Sequence, residues 1–417
     1  MRPRPFTIVF LLAAAAGLFF TGWSTADFVA QLDRQVHSIH CSFVPGLDTT
    51  DATGSSGCHV TMMSPYSSVL RSALWGGLPI SLPGMGVFAF LLFRGLDLLL
   101  NGRENDRGAT GFVALAAVLP LLTSLVMGYI SLVTLGAACK LCIGTYIAST
   151  VAFLAALAIW RTSGVREVGI GFGSMASVEP PRTGMGAHIV SFAIGVAFVA
   201  IPALTYVISM PDYDKYIGAC GSLPRPEDTY GIFVPVGQQS TGKAAIEVFD
   251  PLCPACRAFE TRLDASGLGD DIKRKAVMFP LDNSCNWMIG SALHPGACMV
   301  SEAVLCADTK ADGVIAWAFA HQDEIKVAAA KDPKAALALV TTAFPELKSC
   351  IGTDKVKQKL NKSLRWAVAN QLPVLTPQLY VDGVKLCDED TDLGMDYALT
   401  RLLAHNNATA APAKEAP

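Results

Sequence analysis

Residues 246–260 read IEVFDPLCPACRAFE, and this stretch decides how the second half of the chain is interpreted. Its first part continues the β-rich run AAIEVFD, which ends at Pro251, and the following RAFETRLDAS can be helical. A Cys-x-x-Cys pair between a strand and a helix places the first sulfur at the helix N-terminus, where unpaired N–H groups and the dipole favour a thiolate. We therefore predict Cys253 as the exposed nucleophile and Cys256 as the resolving thiol of a pair that cycles between dithiol and disulfide.

Two other interpretations of this cysteine pair stay open. Half of a zinc site would need two further ligands, and no second Cys-x-x-Cys pair occurs in the second half of the chain. An inert structural disulfide is the other possibility. The strand–CxxC–helix context favours the redox pair over both.

A second Cys-x-x-Cys pair, Cys139 and Cys142 in GAACKLCIGTY, lies between two long apolar runs. The chain of 417 residues is 52% hydrophobic and 16% charged, which is too apolar for one soluble domain. A cleaved signal peptide is the alternative for the first apolar run, whose uncharged length exceeds the usual h-region of about 7–15 residues. Runs long enough for membrane-spanning helices lie at 6–26, 73–93, 111–134, 141–160 and 187–209.

Basic residues in the short loops predict the orientation of these spans. Residues 27–72, the junction at 136–142 and everything after 210 then face the oxidising side, where all twelve cysteines fall. We predict a multi-pass protein of a bacterial plasma (inner) membrane, with a cytosolic N-terminus and the soluble domain in the periplasm or outside the cell. The cytosolic arginines are Arg2, Arg4, Arg94, Arg103, Arg107, Arg161, Arg166 and Arg182.

Residues 240–404 contain FDPLCPACRAFE, then a helical insertion over 285–370 and then Thr376-Pro377. With these features the segment resembles the thioredoxin fold, and more closely the DsbA-like oxidases that generate disulfides in bacterial envelopes. In that family a cis proline after Thr or Val faces the active-site cysteines and helps to hold the substrate chain. The resemblance implies this substrate-binding role for Thr376 and Pro377, while a proline at a strand start can also be an ordinary edge feature.

Residues 6–160 contain a loop cysteine pair, a serine six residues after it, a proline-rich second span and a CxxC at the fourth span, here Cys41, Cys58, Ser64, Pro79 to Pro83, Cys139 and Cys142. This combination resembles the vitamin K epoxide reductase (VKOR) family of the bacterial type. The resemblance implies a relay from the loop cysteine pair to Cys139 and Cys142, with Cys142 facing a quinone ring and Ser64 hydrogen-bonding a quinone oxygen. Ubiquinone or menaquinone would be the electron acceptor.

The loop pair departs from the family pattern, because 16 residues separate Cys41 from Cys58. We expect the Gly/Ser/Asp-rich insertion VPGLDTTDATGSSG to loop out without moving either sulfur. A purely structural disulfide between these two cysteines stays open. Ser64 before Pro65 could also be a helix N-cap.

Six cysteines remain on the oxidising side, and we expect them to be structural disulfides. Cys285 and Cys298 bracket CNWMIGSALHPGAC, which resembles a loop between helices that a disulfide would tie down. We interpret His294 in this loop, and His59, as ordinary polar loop residues. With that first pair made, the expected partners are Cys306 with Cys350 and Cys220 with Cys387.

The fold class that these patterns predict is an α-helical membrane bundle followed by an α/β thioredoxin-fold domain with a helical insertion. Four spans from a cytosolic N-terminus return the chain to the cytosol, so a fifth is needed to place Cys253 on the oxidising side. The predicted segments are a four-helix quinone-reducing domain, a cytosolic linker, the fifth helix, an exterior linker, the thioredoxin-fold domain and a disordered tail, at 1–160, 161–186, 187–209, 210–239, 240–404 and 405–417.

The combination predicts an enzyme, a membrane thiol:quinone oxidoreductase that generates disulfides in secreted or envelope client proteins and uses no metal. No basic run indicates a nucleic-acid partner, and the net charge is −3. A reductase or isomerase would need a cytosolic electron source, yet the cytosolic loops contain no cysteine and no nucleotide-binding motif. A client-binding chaperone module with a non-essential redox site is a third hypothesis.

Overall fold

The structure, a computed structural model, describes residues 3–33, 57–163, 184–237 and 242–405. The chain divides into two compact units. The first contains residues 1–70 and 77–211, and the second contains residues 71–76 and 212–417. Helices and one short two-stranded sheet make up the first unit, and a mixed sheet with helices makes up the second.

Within the residues that the structure describes, five helical stretches are long and apolar enough to cross a membrane, by length and composition: Arg4–Ala30, Ser81–Leu100, Arg107–Thr134, Lys140–Thr162 and Met185–Tyr216. The third is continuous across two helices and ends in a π-helical turn at Ile130–Thr134. The helices of the first unit are α1 (Arg4–Ala30), α2 (Gly57–Met62), α3 (Ser81–Leu100), α4 (Arg107–Ala116), α5 (Val118–Tyr129), α6 (Lys140–Thr162) and α7 (Met185–Ser209).

The second span lies further along the chain than its apolar run at 73–93 predicted. Strands β1 (Ser68–Val69) and β2 (Leu78–Pro79) pair antiparallel just before it. Their pairing commits the backbone up to Pro79 to extended structure, so the helix begins at Ser81 and continues to Leu100. The apolar run therefore predicted that a span exists here, but both predicted ends were wrong.

Small residues allow the helices of the first unit to pack closely. A side chain added at Gly17 of α1 would overlap the ring of Phe88 on α3, and one added at Gly144 of α6 would overlap the ring of Phe20 on α1. Glycine at such contacts lets membrane helices approach one another and gain van der Waals contact. The first turn of α6, which carries the membrane cysteines, is thereby held against α1.

The second unit is built on a five-stranded sheet of order β3-β5-β4-β6-β7. The central strand β4 pairs parallel with β5 and antiparallel with β6, whereas the outer pairs are antiparallel. Its central position buries the second half of β4, from Glu247 to Phe249. The strands are β3 (Val234–Pro235), β4 (Lys243–Phe249), β5 (Ile272–Met278), β6 (Gln378–Val381) and β7 (Val384–Lys385).

One helix connects β4 to β5, and five more lie between β5 and β6, where the sequence predicted a helical insertion. Asp382 and Gly383 turn β6 into β7 with φ angles of 49° and 80°, the left-handed conformation that such hairpins require. This is the expected thioredoxin fold with an added helical region. Its helices are α8 (Pro254–Ser266), α9 (Ala297–Ala307), α10 (Ala311–Ala320), α11 (Gln322–Lys331), α12 (Pro333–Ala343), α13 (Asp354–Ala369) and α14 (Met395–His405).

Candidate active site

The Cys-Pro-Ala-Cys pair lies where β4 passes into α8. Cys253 is the N-cap residue of α8, with extended backbone, and Pro254 occupies the first helical position. Proline fits there because that position has no intrahelical partner for an N–H group. The carbonyl of Cys253 accepts the first helical hydrogen bond from Arg257 N at 3.2 Å. The sulfur of Cys253 therefore belongs to the helix N-terminus, as predicted.

Both sulfurs are buried, so the expectation of an exposed nucleophile needs correction. Cys253 is 5% exposed and Cys256 is 0% exposed. A hydrogen bond from the Cys256 thiol lowers the pKa of Cys253 to about 6, against the opposing effect of burial. Burial and that same hydrogen bond raise the pKa of Cys256 well above its ordinary value. Cys253 is therefore the more acidic thiol of the pair, and a nucleophilic role for it and a resolving role for Cys256 stay predictions from the motif.

The loop before β6 meets this site. The Thr376-Pro377 peptide bond is cis, as the family resemblance implied. The carbonyl oxygen of Thr376 lies 3.6 Å from the Cys253 sulfur. Thr376 is buried, and its position places the proline loop beside the reactive sulfur. The structure therefore brings together all four residues that the sequence assigned to the soluble site.

Sequence reasoning missed an ion pair directly behind the cysteines. The Asp250 carboxylate is 0% exposed and accepts hydrogen bonds from Leu252 N at 2.7 Å and Leu281 N at 2.8 Å. The Nδ1 atom of His294 lies 2.7 Å from an oxygen of the same carboxylate. His294, interpreted above as an ordinary loop residue, is 44 residues away in sequence, and no local motif connects it to Asp250.

A second polar group contacts the backbone of the site. The buried side-chain amide of Gln322, the first residue of α11, donates to the carbonyl of Cys253 at 2.9 Å and to that of Pro251 at 3.2 Å. These bonds fix the turn that carries the reactive cysteine. The sequence around Gln322 does not indicate this role, because the contact forms only when the helical insertion packs against the turn that contains Cys253.

The sheet below the site contains a buried charge cluster. Arg274 on β5 donates to Glu247 on β4 at 3.0 Å and to both carboxylate oxygens of Glu260 on α8, at 2.5 and 2.7 Å. Burial and the charge of Glu260 raise the pKa of Glu247 to about 7, although Arg274 opposes the shift. The sequence motif gave no sign of this cluster, since its members lie on three different elements.

The membrane dithiol lies at the start of α6. Cys139 is the buried N-cap residue of that helix, and Cys142 is half-buried in its first turn. Both line a mainly apolar cavity of about 420 Å³ within the first unit. Such volumes are typical of sites for small organic ligands.

Ser64 lines the same cavity, together with Tyr146 and Pro83. Its hydroxyl donates to the carbonyl of Thr61 at 2.7 Å, and it begins a turn closed by a hydrogen bond from Ser67 N at 3.1 Å. A helix does not start at this serine, so the N-cap alternative is wrong. The structure therefore brings the predicted serine and the membrane dithiol into one cavity.

For the two loop cysteines, the structure describes no side chain. Cys41 lies outside the described residues. Cys58 lies in α2 (Gly57–Met62), and the structure describes its backbone but not its side chain. Their predicted roles therefore rest on the sequence.

The structural disulfides are confirmed. Cys285–Cys298, Cys306–Cys350 and Cys220–Cys387 have S–S distances of 2.06, 2.00 and 2.03 Å. Among the cysteines whose side chains are described, the two Cys-x-x-Cys pairs carry free thiols: Cys139, Cys142, Cys253 and Cys256. The structural and reactive cysteines thus separate as the spacing predicted.

Comparisons with known proteins give one family match and partial matches to solved structures. Residues 8–157 match the model of the vitamin K epoxide reductase family. The chain is similar in part to the crystal structure of the oxidoreductase DsbA from Xylella fastidiosa, with 18% identity and a TM-score of 0.30 over 42% of this chain and 92% of that one. Reduced DsbA1 from Neisseria meningitidis gives 17% identity and a TM-score of 0.28 over 42% and 94% of the two chains. No curated protein matches the chain.

The family match covers the helices α1 to α6 almost completely and includes both membrane cysteines. It agrees with the resemblance found over residues 6–160. Residues 8–157 therefore match a vitamin K epoxide reductase domain, and the chain is a membrane oxidoreductase that acts on disulfides.

Proposed function

We propose that the protein generates disulfide bonds in client proteins and passes their electrons to a membrane quinone. The observation that carries this proposal is the setting of the membrane dithiol, since Cys139 and Cys142 line an apolar cavity of about 420 Å³ in a unit built of membrane-length helices. Ubiquinone and menaquinone both combine a flat ring with an apolar chain, and such a molecule suits a cavity of this size and lining.

Polar groups in the cavity wall fit the two carbonyl oxygens of a quinone. The Tyr146 hydroxyl can donate to a quinone oxygen. The Ser64 proton already bonds the Thr61 carbonyl, so its oxygen is better placed to accept a hydrogen bond from a hydroquinone hydroxyl. Ser64 would then favour the reduced product, unless its hydroxyl rotates to donate to the quinone.

The chemistry starts at the oxidised Cys253–Cys256 pair. A client thiolate attacks the Cys253 sulfur, the disulfide breaks, and a mixed disulfide forms while Cys256 takes the electron pair. The client's second thiolate then attacks the client sulfur of the mixed disulfide, which releases an oxidised client and the Cys253 thiolate. Thr376 and Pro377, beside Cys253, would hold the client chain during both attacks.

The electrons then pass to the membrane. Reduced Cys253 attacks the disulfide between Cys41 and Cys58, and that pair, once reduced, opens the Cys139–Cys142 disulfide. Reoxidation of the membrane pair to a disulfide gives two electrons and two protons to the quinone and forms hydroquinone. Cys142 is assigned the contact with the quinone ring, as the family resemblance implies.

Orientation follows from the number of spans. Five crossings place residues before α1 and residues after α7 on opposite membrane faces. The arginines of the short loops assign the N-terminus to the cytosol, so the second unit would lie in the periplasm or outside the cell. In a bacterial plasma membrane, the clients would then be secreted or envelope proteins with reduced cysteines.

The test is quinone reduction by the full-length protein in detergent, supplied with a reduced dithiol peptide. Quinone absorbance and peptide thiols are followed together, and we expect one quinone reduced for each disulfide formed. Cys142→Ala should abolish quinone reduction, while Cys256→Ala should abolish peptide oxidation. Constant peptide thiols with untouched quinone would refute the proposal and favour a reductase or a binding module.

A further inference from the structure

The ion pair behind the Cys-Pro-Ala-Cys site has no role in the mechanism above. Asp250 is the residue that follows β4, and its buried carboxylate is oriented by Leu252 N, Leu281 N and the His294 ring. His294 is itself held in place, because its backbone N–H donates to Leu281 O at 3.0 Å and its carbonyl accepts from Ala297 N at 3.1 Å. The geometry of the pair is therefore set by backbone contacts on both sides.

Asp250 is close enough to the reactive cysteine to oppose its ionisation. The backbone N–H of Cys253 donates to the Asp250 carbonyl at 3.1 Å, so both residues belong to one tight turn. The negative charge of the Asp250 carboxylate raises the pKa of Cys253. A thiolate and a buried carboxylate in one turn repel each other unless a positive charge offsets them.

His294 is placed to supply that charge. The charged groups acting on its ring are Asp250, Cys253 and Lys326 of α11. Burial lowers the pKa of His294, but the hydrogen bond and charge of Asp250, with the charge of Cys253, raise it above its ordinary value. The dipeptide between the cysteines, Pro-Ala, carries no charge that could act instead.

We propose that His294, oriented by Asp250, is a positioning residue whose positive charge offsets the buried carboxylate and stabilises the Cys253 thiolate. The part that this charge would play in catalysis rests on the proposed function. When the second client thiolate attacks the client sulfur of the mixed disulfide, the S–S bond breaks and its electron pair stays on Cys253. A stabilised thiolate is the better leaving group, so His294 favours release of the oxidised client.

Two substitutions separate charge from structure. His294→Asn can keep a donor at the position of Nδ1 and hence the bond to Asp250, but it carries no charge. His294→Ala removes both. The readout is the pH profile of Cys253 alkylation by iodoacetamide in the full-length, detergent-solubilised protein with both redox pairs reduced, with the modified site identified by peptide mass spectrometry.

We expect both variants to shift the midpoint of this profile upward by about one pH unit, which lowers the alkylation rate about tenfold at pH values below the midpoint. His321→Asn is the matched control, because the Nδ1 atom of His321 lies 2.8 Å from the carbonyl oxygen of Trp317, four residues earlier, and not beside Asp250. It should keep the wild-type profile. A wild-type midpoint in His294→Asn would overturn the proposal, whether or not His294→Ala is shifted.

The measurement uses neither quinone nor client. A shifted profile in a protein that fails to reduce quinone would therefore count against the proposed function and leave the role of His294 standing. If the protein reduces quinone but the profile of His294→Asn is not shifted, the proposed function stands and the role of His294 is refuted.

Discussion

The sulfur of Cys253 lies 3.6 Å from the carbonyl oxygen of Thr376, a residue 123 positions later in the chain. The register of the sheet brings them together. Val248 near the end of β4 pairs with Gln378 at the start of β6, so the turn that leaves β4 and the loop that enters β6 share one end of the sheet. A client chain lying along that loop would meet Cys253 directly.

The acidity of Cys253 should depend on its partner thiol. Cys256→Ala removes the hydrogen bond that lowers the pKa of Cys253 to about 6. The thiolate dominates above that pH, so the alkylation rate of the wild type should rise through pH 6 and then level off. In Cys256→Ala the midpoint should move up by about one unit or more, which slows the reaction at pH 6 by about fivefold or more.

Cys256→Ser retains a hydroxyl donor and is the control for this change. Its midpoint should lie between those of the wild type and Cys256→Ala. Coincident profiles for all three proteins would show that the helix N-terminus, and not Cys256, sets the acidity of Cys253.

Local patterns carried most of the sequence prediction. The β-rich run before Cys253 is a signal within one segment, and the strand it predicted was confirmed as β4. The proline role came from family resemblance, since spacing alone cannot distinguish a cis bond from an ordinary strand start. His294 was missed because its partner Asp250 is reached only after the chain has formed β5 and turned back, and neither residue is unusual in its own segment.

The boundaries of the second span show the same limit. Hydropathy counts apolar side chains and does not register that Leu78 and Pro79 form a strand with Ser68 and Val69. The prediction that Cys253 is exposed was wrong for a related reason, since the side chain is buried. Exposure of Cys253 depends on the proline loop, which lies far away in sequence.

Stability of the second unit should fall between pH 4.5 and 7 because of Glu247. This carboxyl is 4% exposed, and its pKa is raised from 4.5 to about 7, so the folded state retains a proton that the unfolded state releases. The free energy of unfolding is therefore highest below pH 4.5, and it falls by about 3 kcal/mol as the pH rises to 7. Glu247→Gln should lack this loss, as measured by pulse proteolysis in urea over a pH series.

Glu324→Gln, at an exposed position of α11, is the control and should keep the wild-type pH dependence. An unchanged slope in Glu247→Gln would mean that Arg274 keeps Glu247 ionised in the folded state. The buried cluster would then act as a charged pair throughout this pH range.

The disulfides of the second unit should stabilise it according to the lengths of their loops. Cys306–Cys350 spans 44 residues and Cys285–Cys298 spans 13. Constraint of the unfolded chain predicts a loss of about 4 kcal/mol when both cysteines of the longer loop become alanine, and about 3 kcal/mol for the shorter one. Pulse proteolysis of the full-length variants measures both losses, and a larger loss for the shorter loop would contradict this reasoning.

The cavity beside Cys139 and Cys142 can be tested from the fifth membrane helix, whose Val199 lines it. Val199→Trp places a large ring in a space that a quinone would need, and overpacking of this kind is not relieved without backbone movement. We expect kcat/KM for quinone to fall at least about tenfold, while oxidation of a dithiol peptide by the preoxidised Cys253–Cys256 pair in a single turnover is unchanged. Val196→Trp is the matched control on the same helix, where the side chain is 49% exposed and does not line the cavity. Equal quinone reduction by both variants would place the quinone elsewhere, whereas a loss confined to Val199→Trp would tie the electron acceptor to the cavity that contains the membrane dithiol.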